Sequence, residues 1–409
     1  IMPLAVTGLL AKFVGAGVRY WISYNSYLGF TDAADYHLAA ARIAARARAG
    51  QVGLIEFIPH GLGTRFIEEV AGVVYTVAGS SRLGGAFVFA TVAFWGSVFY
   101  LLAANIAVRG LRRKWYAVLV FFAPSIVYWP SSLGKEAWMF FALGLGSYGV
   151  SLALMRRDRL RRGFVLAAAG FVGAAFVRPH VATMWIAGAG LAFAMAMVVR
   201  RRAAAAGALR SARFPSTMRA SDGLVLFGVL VASVVGFVLV ASLTLRFLDP
   251  VSGDDASIGI TERVTRILDE TERRSSEGGS TLPTYSIDSP ADWPAAMLST
   301  LLRPYPWEIN DLASLLPGIE TVLFVVLGVW SAQRIMSVHR QFRHSPYLLM
   351  VICATVMFAL AFSSIANLGI LTRQRSLVLP FGSLLLCLPY VPKRSRVAKG
   401  AMPSPVSVP

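Results

Sequence analysis

Apolar runs separated by short polar segments repeat along almost the whole chain. A run of about 20 apolar residues is long enough to cross a bilayer as a helix. The runs fall at residues 4–22, 86–108, 116–128, 137–154, 164–177, 181–199, 224–245, 321–332, 348–366 and 376–391. This pattern predicts an all-α, polytopic integral membrane protein with about ten transmembrane helices. Several runs are short for a bilayer, so tilted or broken helices are expected among them.

Composition agrees with the pattern and narrows the class of protein. The 409 residues are 56% hydrophobic and 15% charged, with a mean hydropathy of +0.62, whereas a soluble domain is about half apolar and a quarter charged. We expect one transmembrane domain over residues 1–392, followed by a disordered cytoplasmic tail at 393–409. Cys353 and Cys387 lie inside apolar runs and match no disulfide or metal pattern. The sequence also has no DxD or HExxH pattern, so no metal is predicted, and no cofactor is predicted either.

The basic residues set the expected orientation. They are concentrated in clusters between the runs, at residues 109–114, 156–162, 200–213, 334–344 and 392–399. If all of these clusters are cytoplasmic, the spans alternate without conflict and both termini are cytoplasmic, as the positive-inside rule requires. The net charge of +18 is then explained without nucleic acid. The first run is the least regular, because Lys12 and Arg19 interrupt it.

The remaining polar segments then fall on the outer face of the membrane. The two longest are residues 31–83 and 246–320. The second is predicted to contain a surface helix, because Ile260, Val264 and Ile267 recur at helical spacing. A flexible connection, SSEGGS, follows that helix.

Four arginines lie at the outer edges of apolar runs, although the positive-inside rule predicts few basic residues on that side of the membrane. They are Arg178, Arg303, Arg373 and Arg375. The planar guanidinium fork suits phosphate, so the four arginines are predicted to converge on a lipid phosphate or pyrophosphate, with Lys135 assisting. The alternative is that each arginine reaches bulk headgroups or pairs with a neighbouring acid.

Acidic residues on the same face supply candidates for catalysis. Asp32 and Asp35 share a helix face, and either carboxylate is placed to act as a general base for an acceptor hydroxyl. Asp32 or Thr31 would equally serve as a helix N-cap. Glu136 and His180 are further acid/base candidates, although an acid also suits a helix start and a single histidine is commonly structural.

Sugar or acceptor contacts are predicted at Tyr36, Arg65, Trp307 and Glu308. The aromatic residues Tyr305 and Trp307 fit a sugar-stacking surface, and they equally fit an interfacial aromatic belt. Pro304 and Pro306 prevent a regular helix in this segment.

The ordered motifs of the outer segments resemble those of a known group of proteins. They are DAADYH, GTRF, FFAPSIVYWPSSLGKE, RPH, RPYPWE and NLGILTRQRSLVLPF. The set is similar to Wzy-like polysaccharide polymerases and to GT-C membrane glycosyltransferases. The resemblance implies a polyprenyl-linked sugar donor, a base at Asp32 or Asp35, and a pyrophosphate held by the four arginines. The outer segments are smaller than in many polymerases, and we expect no separate soluble sugar-binding domain after the last span.

The resemblance therefore implies a glycosyltransferase or polymerase at the outer face of the cytoplasmic membrane, active in cell-surface polysaccharide synthesis. Polymerase, ligase and single-sugar transferase remain open. Its expected partners are membrane lipid, the lipid-linked saccharide and other polysaccharide-assembly proteins. The alternative is a transporter or flippase of lipid-linked saccharides, which would show charged or broken-helix sites near the midplane. Arg373 and Arg375 would point about 200° apart on a helix, so only one of them is expected to face the ligand.

Overall fold

The computed structural model describes residues 1–28, 31–51, 58–205, 289, 291–309 and 312–392. These residues form helices and no β-strand. The helices are α1 (Met2–Trp21), α2 (Asp32–Arg48), α3 (Thr64–Ala78), α4 (Arg82–Ala107), α5 (Arg113–Phe122), α6 (Pro124–Tyr128), α7 (Lys135–Met155), α8 (Leu160–Val177), α9 (Pro179–Ala205), α10 (Trp293–Leu302), α11 (Leu312–Met336), α12 (Tyr347–Ala361), α13 (Leu368–Arg375) and α14 (Leu379–Leu386). A π-helical turn, Ile22–Ser26, continues α1.

Six helical segments in this part of the chain are long and apolar enough to cross a membrane. They are Met2–Ser26, Arg82–Ala107, Lys135–Met155, Leu160–Val177, Pro179–Arg201 and Ser314–Arg340. The prediction of an all-α fold is confirmed for the described residues, and six of their helical segments have the length and apolar composition of membrane spans. About ten spans and two cytoplasmic termini are not confirmed. The predicted span at 224–245 lies outside the described residues.

Three of the predicted spans are shorter or broken in the structure. The run at 116–128 divides into α5 and α6 at Pro124, because proline cannot donate the backbone hydrogen bond that would continue α5. The runs at 348–366 and 376–391 contain α12, with 15 residues, and α14, with eight. The sequence-based expectation of short or broken helices agrees with this part of the fold.

The core is centred on α7, which packs between α4 and α8. Glycines allow these helices to approach closely: a Cβ added at Gly149 of α7 would lie 2.2 Å from the Ala167 backbone nitrogen of α8. Small residues at such contacts are typical of helix packing in membranes. α1 packs against α4, α5 and α6, while α9 packs against α12.

The predicted outer segments are helical where the structure describes them. α2 and α3 pack together within segment 31–83. Segment 246–320 contributes α10 and the first turns of α11, which begins at Leu312 rather than at the predicted residue 321. The expected surface helix around Ile260 and the tail at 393–409 lie outside the described residues.

Candidate functional site

The candidate site lies where the starts of α7 and α9 and the end of α13 meet. Glu136 is in the first turn of α7. Arg178 follows the last residue of α8 and precedes Pro179, the first residue of α9. Its backbone, with φ −144° and ψ 86°, is not helical, which agrees with the restriction that proline places on the preceding residue. Arg373 is on α13, whose start is capped by Asn367: its side-chain Oδ1 accepts a hydrogen bond from the Ile370 backbone nitrogen at 3.1 Å.

Two arginines from separate parts of the fold, the α8–α9 junction and α13, converge on the carboxylate of Glu136, which is 1% exposed. Arg178 Nη2 donates to Oε1 at 2.7 Å, and Arg373 Nη2 donates to Oε2 at 2.9 Å. Arg373 Nε also lies 2.6 Å from Oε1. Arg178 Nη1 donates to the Gln374 side-chain oxygen at 2.8 Å. Both oxygens of Glu136 are therefore occupied by guanidinium groups whose positions they fix.

Asp32 joins this group from the start of α2. Arg373 Nη1 donates to Asp32 Oδ2 at 2.7 Å, and the Asp32 side chain remains 59% exposed. Burial lowers the pKa of Arg373, but Glu136 and Asp32 outweigh burial, and the net pKa is raised. Asp35 is exposed and forms no ion pair within the described part of the chain. Thr31 precedes α2 without a side-chain capping bond.

Two further cations lie within electrostatic range of Glu136. Lys135 interacts with Glu136 and with Asp32, and its amine has no hydrogen-bond partner among the residues that the structure describes. Arg19 of α1 interacts with Glu136 as well. Arg19 Nη1 donates to the Trp129 carbonyl, and its guanidinium lies 5.1 Å from the centre of the Trp129 ring.

The Tyr36 ring closes one side of the group. Tyr36 is 3% exposed. Burial, with the negative charges of Glu136 and Asp32, raises the pKa of Tyr36 to about 12. Gly134 leaves room between them, since a Cβ there would lie 3.5 Å from Glu136 Oε2 and 3.6 Å from Tyr36 Cε2. The phenol is thus a neutral hydrogen-bonding group beside the ion pairs.

Arg375 belongs to a second buried group. Its side chain is 2% exposed, and Nη2 lies 3.3 Å from Glu320 Oε2. Nη1 donates to the carbonyl oxygens of Leu301, at 3.3 Å, and of Arg303. Glu320 Oε1 accepts from the Ser125 backbone nitrogen at 2.9 Å, and Oε2 accepts from the Ser125 hydroxyl. Arg375 therefore ties α13 to α10, α11 and α6.

Arg303 contacts a different carboxylate again. Its Nη2 lies 2.9 Å from Glu308 Oε1, and Glu308 Oε2 accepts from the Tyr305 backbone nitrogen at 2.9 Å. Trp307 stacks on Tyr305 with ring centres 5.0 Å apart and is 76% exposed. The structure thus brings Arg178 and Arg373 together, while Arg375 and Arg303 pair with Glu320 and Glu308.

His180 and Arg65 form no hydrogen bond or ion pair with the Glu136 group within the described residues, although His180 lies within electrostatic range of Arg178. The His180 ring packs 5.9 Å from the Phe362 ring, and its Nδ1 is buried without a hydrogen-bond partner in the described residues.

Arg65 pairs with Glu69 four residues later on α3, at 2.9 Å. The backbone nitrogens of His60 and Gly61 each donate to Glu69 Oε2 at 2.8 Å. Burial raises the pKa of Glu69, but these backbone bonds and Arg65 outweigh burial and lower the pKa overall. Arg65 thus helps to fix the segment before α3, while most of its side chain stays in solvent.

Arg19, Gln374 and Glu320 were not among the residues that the sequence indicated. For Arg19 a signal exists, because a charged residue inside an apolar span is costly and usually has a partner or a function. Glu320 carries no such signal, because it precedes the apolar run in the sequence and its partners are distant in the chain.

No group of three or more His, Cys, Asp or Glu side chains in the described residues is arranged to hold a metal ion. The expectation that the protein uses no metal and no cofactor stays a prediction.

Comparisons of the chain with family models, with characterised proteins and with solved structures found no match.

Proposed function

We propose that this protein is a membrane glycosyltransferase or polymerase that uses polyprenyl-(pyro)phosphate-linked sugars in cell-surface polysaccharide synthesis. The observation that carries the proposal is the convergence of Arg178, from the α8–α9 junction, and Arg373, from α13, on buried Glu136 beside the exposed carboxylate of Asp32. Guanidinium groups fixed in this way suit a phosphate that becomes a leaving group. The order of the outer motifs supports the same class of reaction.

The charge balance of the site favours an anionic ligand. Its four cations and two anions sum to 4 − 2 = +2, counting Arg19, Lys135, Arg178 and Arg373 against Asp32 and Glu136. Bringing such an excess of like charge together costs free energy. A phosphate or pyrophosphate would offset it, and among these four cations Lys135 has no hydrogen bond to a described residue that it would have to give up.

Glu136 is assigned a positioning role. Both of its oxygens already accept from arginine, and the side chain is buried, so no acceptor hydroxyl can reach it without breaking these contacts. It holds the two guanidinium groups at the place where the phosphate would bind.

Asp32 is assigned as the general base. Its side chain is largely exposed, and the ion pair that it forms within the described part of the chain uses Oδ2. In the proposed step the acceptor oxygen forms a bond to the anomeric carbon while the carbon–oxygen bond to phosphate breaks. The acceptor proton goes to Asp32, and the bonding electron pair leaves with the phosphate, where Arg373 and Arg178 stabilise the charge.

The test is glycosyl transfer by the purified protein from a polyprenyl-pyrophosphate-linked oligosaccharide, with product length measured by electrophoresis or mass spectrometry. Asp32→Asn is expected to lower kcat by roughly 10²- to 10⁴-fold, the usual contribution of a general base. Asp158→Asn is the matched control, because Asp158 is an exposed acid on the turn between α7 and α8, and it should react at the unsubstituted rate.

Full activity of Asp32→Asn would contradict the base assignment, and a loss confined to Asp35→Asn would move the role to Asp35. If the unsubstituted protein forms no product but moves the lipid-linked saccharide across a vesicle membrane, the protein is a transporter instead.

A further inference from the structure

A long apolar cavity lies behind α13, outside the group of residues around Glu136. Its volume is about 240 Å³, and its walls come from α10, α11, α12 and α14. Along α11 the lining extends from Glu320 to Ile335, which is about 22 Å at roughly 1.5 Å per helical residue. The cavity is therefore narrow and extended.

The lining specifies the chemistry of an occupant. Apart from the mutually neutralised Glu320–Arg375 pair and two threonines, the walls are apolar, with Phe324, Val378 and Leu385 among them. An apolar cavity of about 150 Å³ stays dry and binds a benzene-sized molecule. The larger and elongated space here suits a hydrocarbon chain, whereas a sugar would leave its hydroxyl groups without partners.

The position of α11 gives such a chain a route of entry. α11 is one of the helices long enough to span a membrane, and its outward side chains are exposed, including Val326 at 58% and Val329 at 75%. The cavity lies between this outer helix and the rest of the bundle. In a bilayer, the apolar molecules next to α11 are lipid chains.

One short helix links the cavity to the candidate anion site. Arg373 and Arg375 are two residues apart on α13; the first contacts Glu136 and the second lines the polar end of the cavity. We propose that the cavity binds one hydrocarbon chain of a phosphate-bearing membrane lipid. The proposal rests on the proposed function only for identifying that lipid as the polyprenyl donor.

Gly382 of α14 provides a direct way to fill the cavity. It lines the cavity, and a Cβ built on it meets no other atom within 4 Å. The open space at this Cβ position indicates that the side chain of Gly382→Leu enters the cavity and takes up part of the space of the hydrocarbon chain. Gly328→Leu is the matched control, because a Cβ on Gly328 of α11 also meets nothing within 4 Å, and Gly328 does not line the cavity.

The experiment uses the full-length protein and two photoreactive probes, a polyprenyl phosphate and a phosphatidylglycerol, each carrying a diazirine on its hydrocarbon chain. Mapping of labelled peptides is expected to place the crosslinks on the cavity walls of α11 and α14. Gly382→Leu should reduce that labelling by roughly tenfold or more, because forcing a hydrocarbon chain into a cavity that already holds the leucine costs free energy and weakens binding by about that factor. Gly328→Leu should be labelled to the same extent as the unsubstituted protein. Preferential labelling by one probe identifies the source of the chain.

Crosslinks confined to the outward face of α11, or equal labelling of Gly382→Leu and the unsubstituted protein, would overturn the proposal. If Gly382→Leu does not fold, Gly382→Ala and the crosslink map of the unsubstituted protein still decide it. Crosslinking does not depend on turnover, so the two proposals can fail separately. If the protein labels in the cavity but forms no product in the glycosyl-transfer assay, the glycosyltransferase proposal is contradicted and the hydrocarbon-chain site is not.

Discussion

Two basic residues inside the first apolar run have partners that a linear sequence does not show. Lys12 Nζ donates to the Ile126 carbonyl at 2.5 Å and lies 5.2 Å from the centre of the Phe140 ring, and Arg19 donates to the Trp129 carbonyl. Both carbonyls belong to the end of α6 and the residue after it, where helix carbonyls lack partners within the helix. The charges that make this run irregular therefore join α1 to the bundle.

At the same scale, Glu136 is predicted to be essential for stability. Glu136→Gln keeps the shape of the side chain but leaves the guanidinium groups of Arg178 and Arg373, whose side chains are only 12% and 20% exposed, beside a neutral amide. Removing one partner of a buried ion pair typically costs about 3 kcal/mol or more. Thermal unfolding in detergent should show a clear decrease in the midpoint temperature.

The control for this prediction is Glu68→Gln on α3, because Glu68 is only partly buried and forms no ion pair in the described residues. Its unfolding temperature should be unchanged. If Glu136→Gln unfolds at the same temperature as the control, the ion pairs of Arg178 and Arg373 with Glu136 do not contribute to stability and the prediction is wrong.

The sequence allowed the directions of the site arginines to be predicted, but it did not allow their ion-pair partners to be predicted. Helical geometry predicts that Arg373 and Arg375 point to different sides of α13, and they do contact different carboxylates, Glu136 and Glu320. The sequence could not identify those partners, because Glu136 is 237 positions from Arg373 and nothing local specifies the contact. Only the packing of α7, α11 and α13 brings them together.

At the scale of elements, glycines determine how closely α7 and α8 pack. A Cβ at Gly170 would lie 2.3 Å from the Gly146 backbone nitrogen, and one at Gly163 would lie 2.6 Å from the Ala153 nitrogen. The sequence shows the small residues, but it does not show which helix they face. Close backbone approach gives van der Waals contact in place of the hydrophobic driving force that is weak between helices in lipid.

Gly149→Val is therefore expected to separate α7 from α8. The new Cβ would lie 2.2 Å from the Ala167 nitrogen, which backbone atoms cannot accommodate without a shift of the helix. Overpacking of this kind costs about 1–3 kcal/mol or more, measurable as a lower unfolding temperature in detergent. Gly17→Val on α1 is the control, since a Cβ there meets nothing within 4 Å. Equal stability of both variants would contradict the close contact.

The sequence predicts that a helix is present at the position of α11 more accurately than it predicts where the helix begins. The hydropathy pattern placed Glu320 in a loop before a span, yet α11 begins at Leu312 and passes through Pro317. Hydropathy detects lipid-exposed residues and misses a buried acid within the first turns of a helix, such as Glu320, which accepts a hydrogen bond from the Ser125 backbone nitrogen.

At the scale of the whole molecule, the candidate site and those residues of the basic clusters that the structure describes lie at opposite helix ends. Glu136 is in the first turn of α7, and the cluster at 156–162 follows its last residue. Two hydrogen bonds connect helix ends that carry basic residues. Near the ends of α9 and α7, Arg200 donates to the Leu154 carbonyl at 3.1 Å, and after α11 and α14, Arg340 donates to the Val391 carbonyl at 2.8 Å. By the positive-inside rule, this separation predicts that the site faces outward.

Cysteine labelling tests that orientation. In a chain with Cys353 and Cys387 replaced by alanine, Ser80→Cys, on the exposed turn before α4, should react with a membrane-impermeant maleimide on intact cells. Asp158→Cys, exposed at the basic end, should react only after lysis, and this substitution keeps every arginine that sets the topology. The expected difference follows from the cost of moving the basic clusters across the membrane. The reverse pattern would place the Glu136 site on the cytoplasmic side and rule out an outward-facing glycosyltransferase.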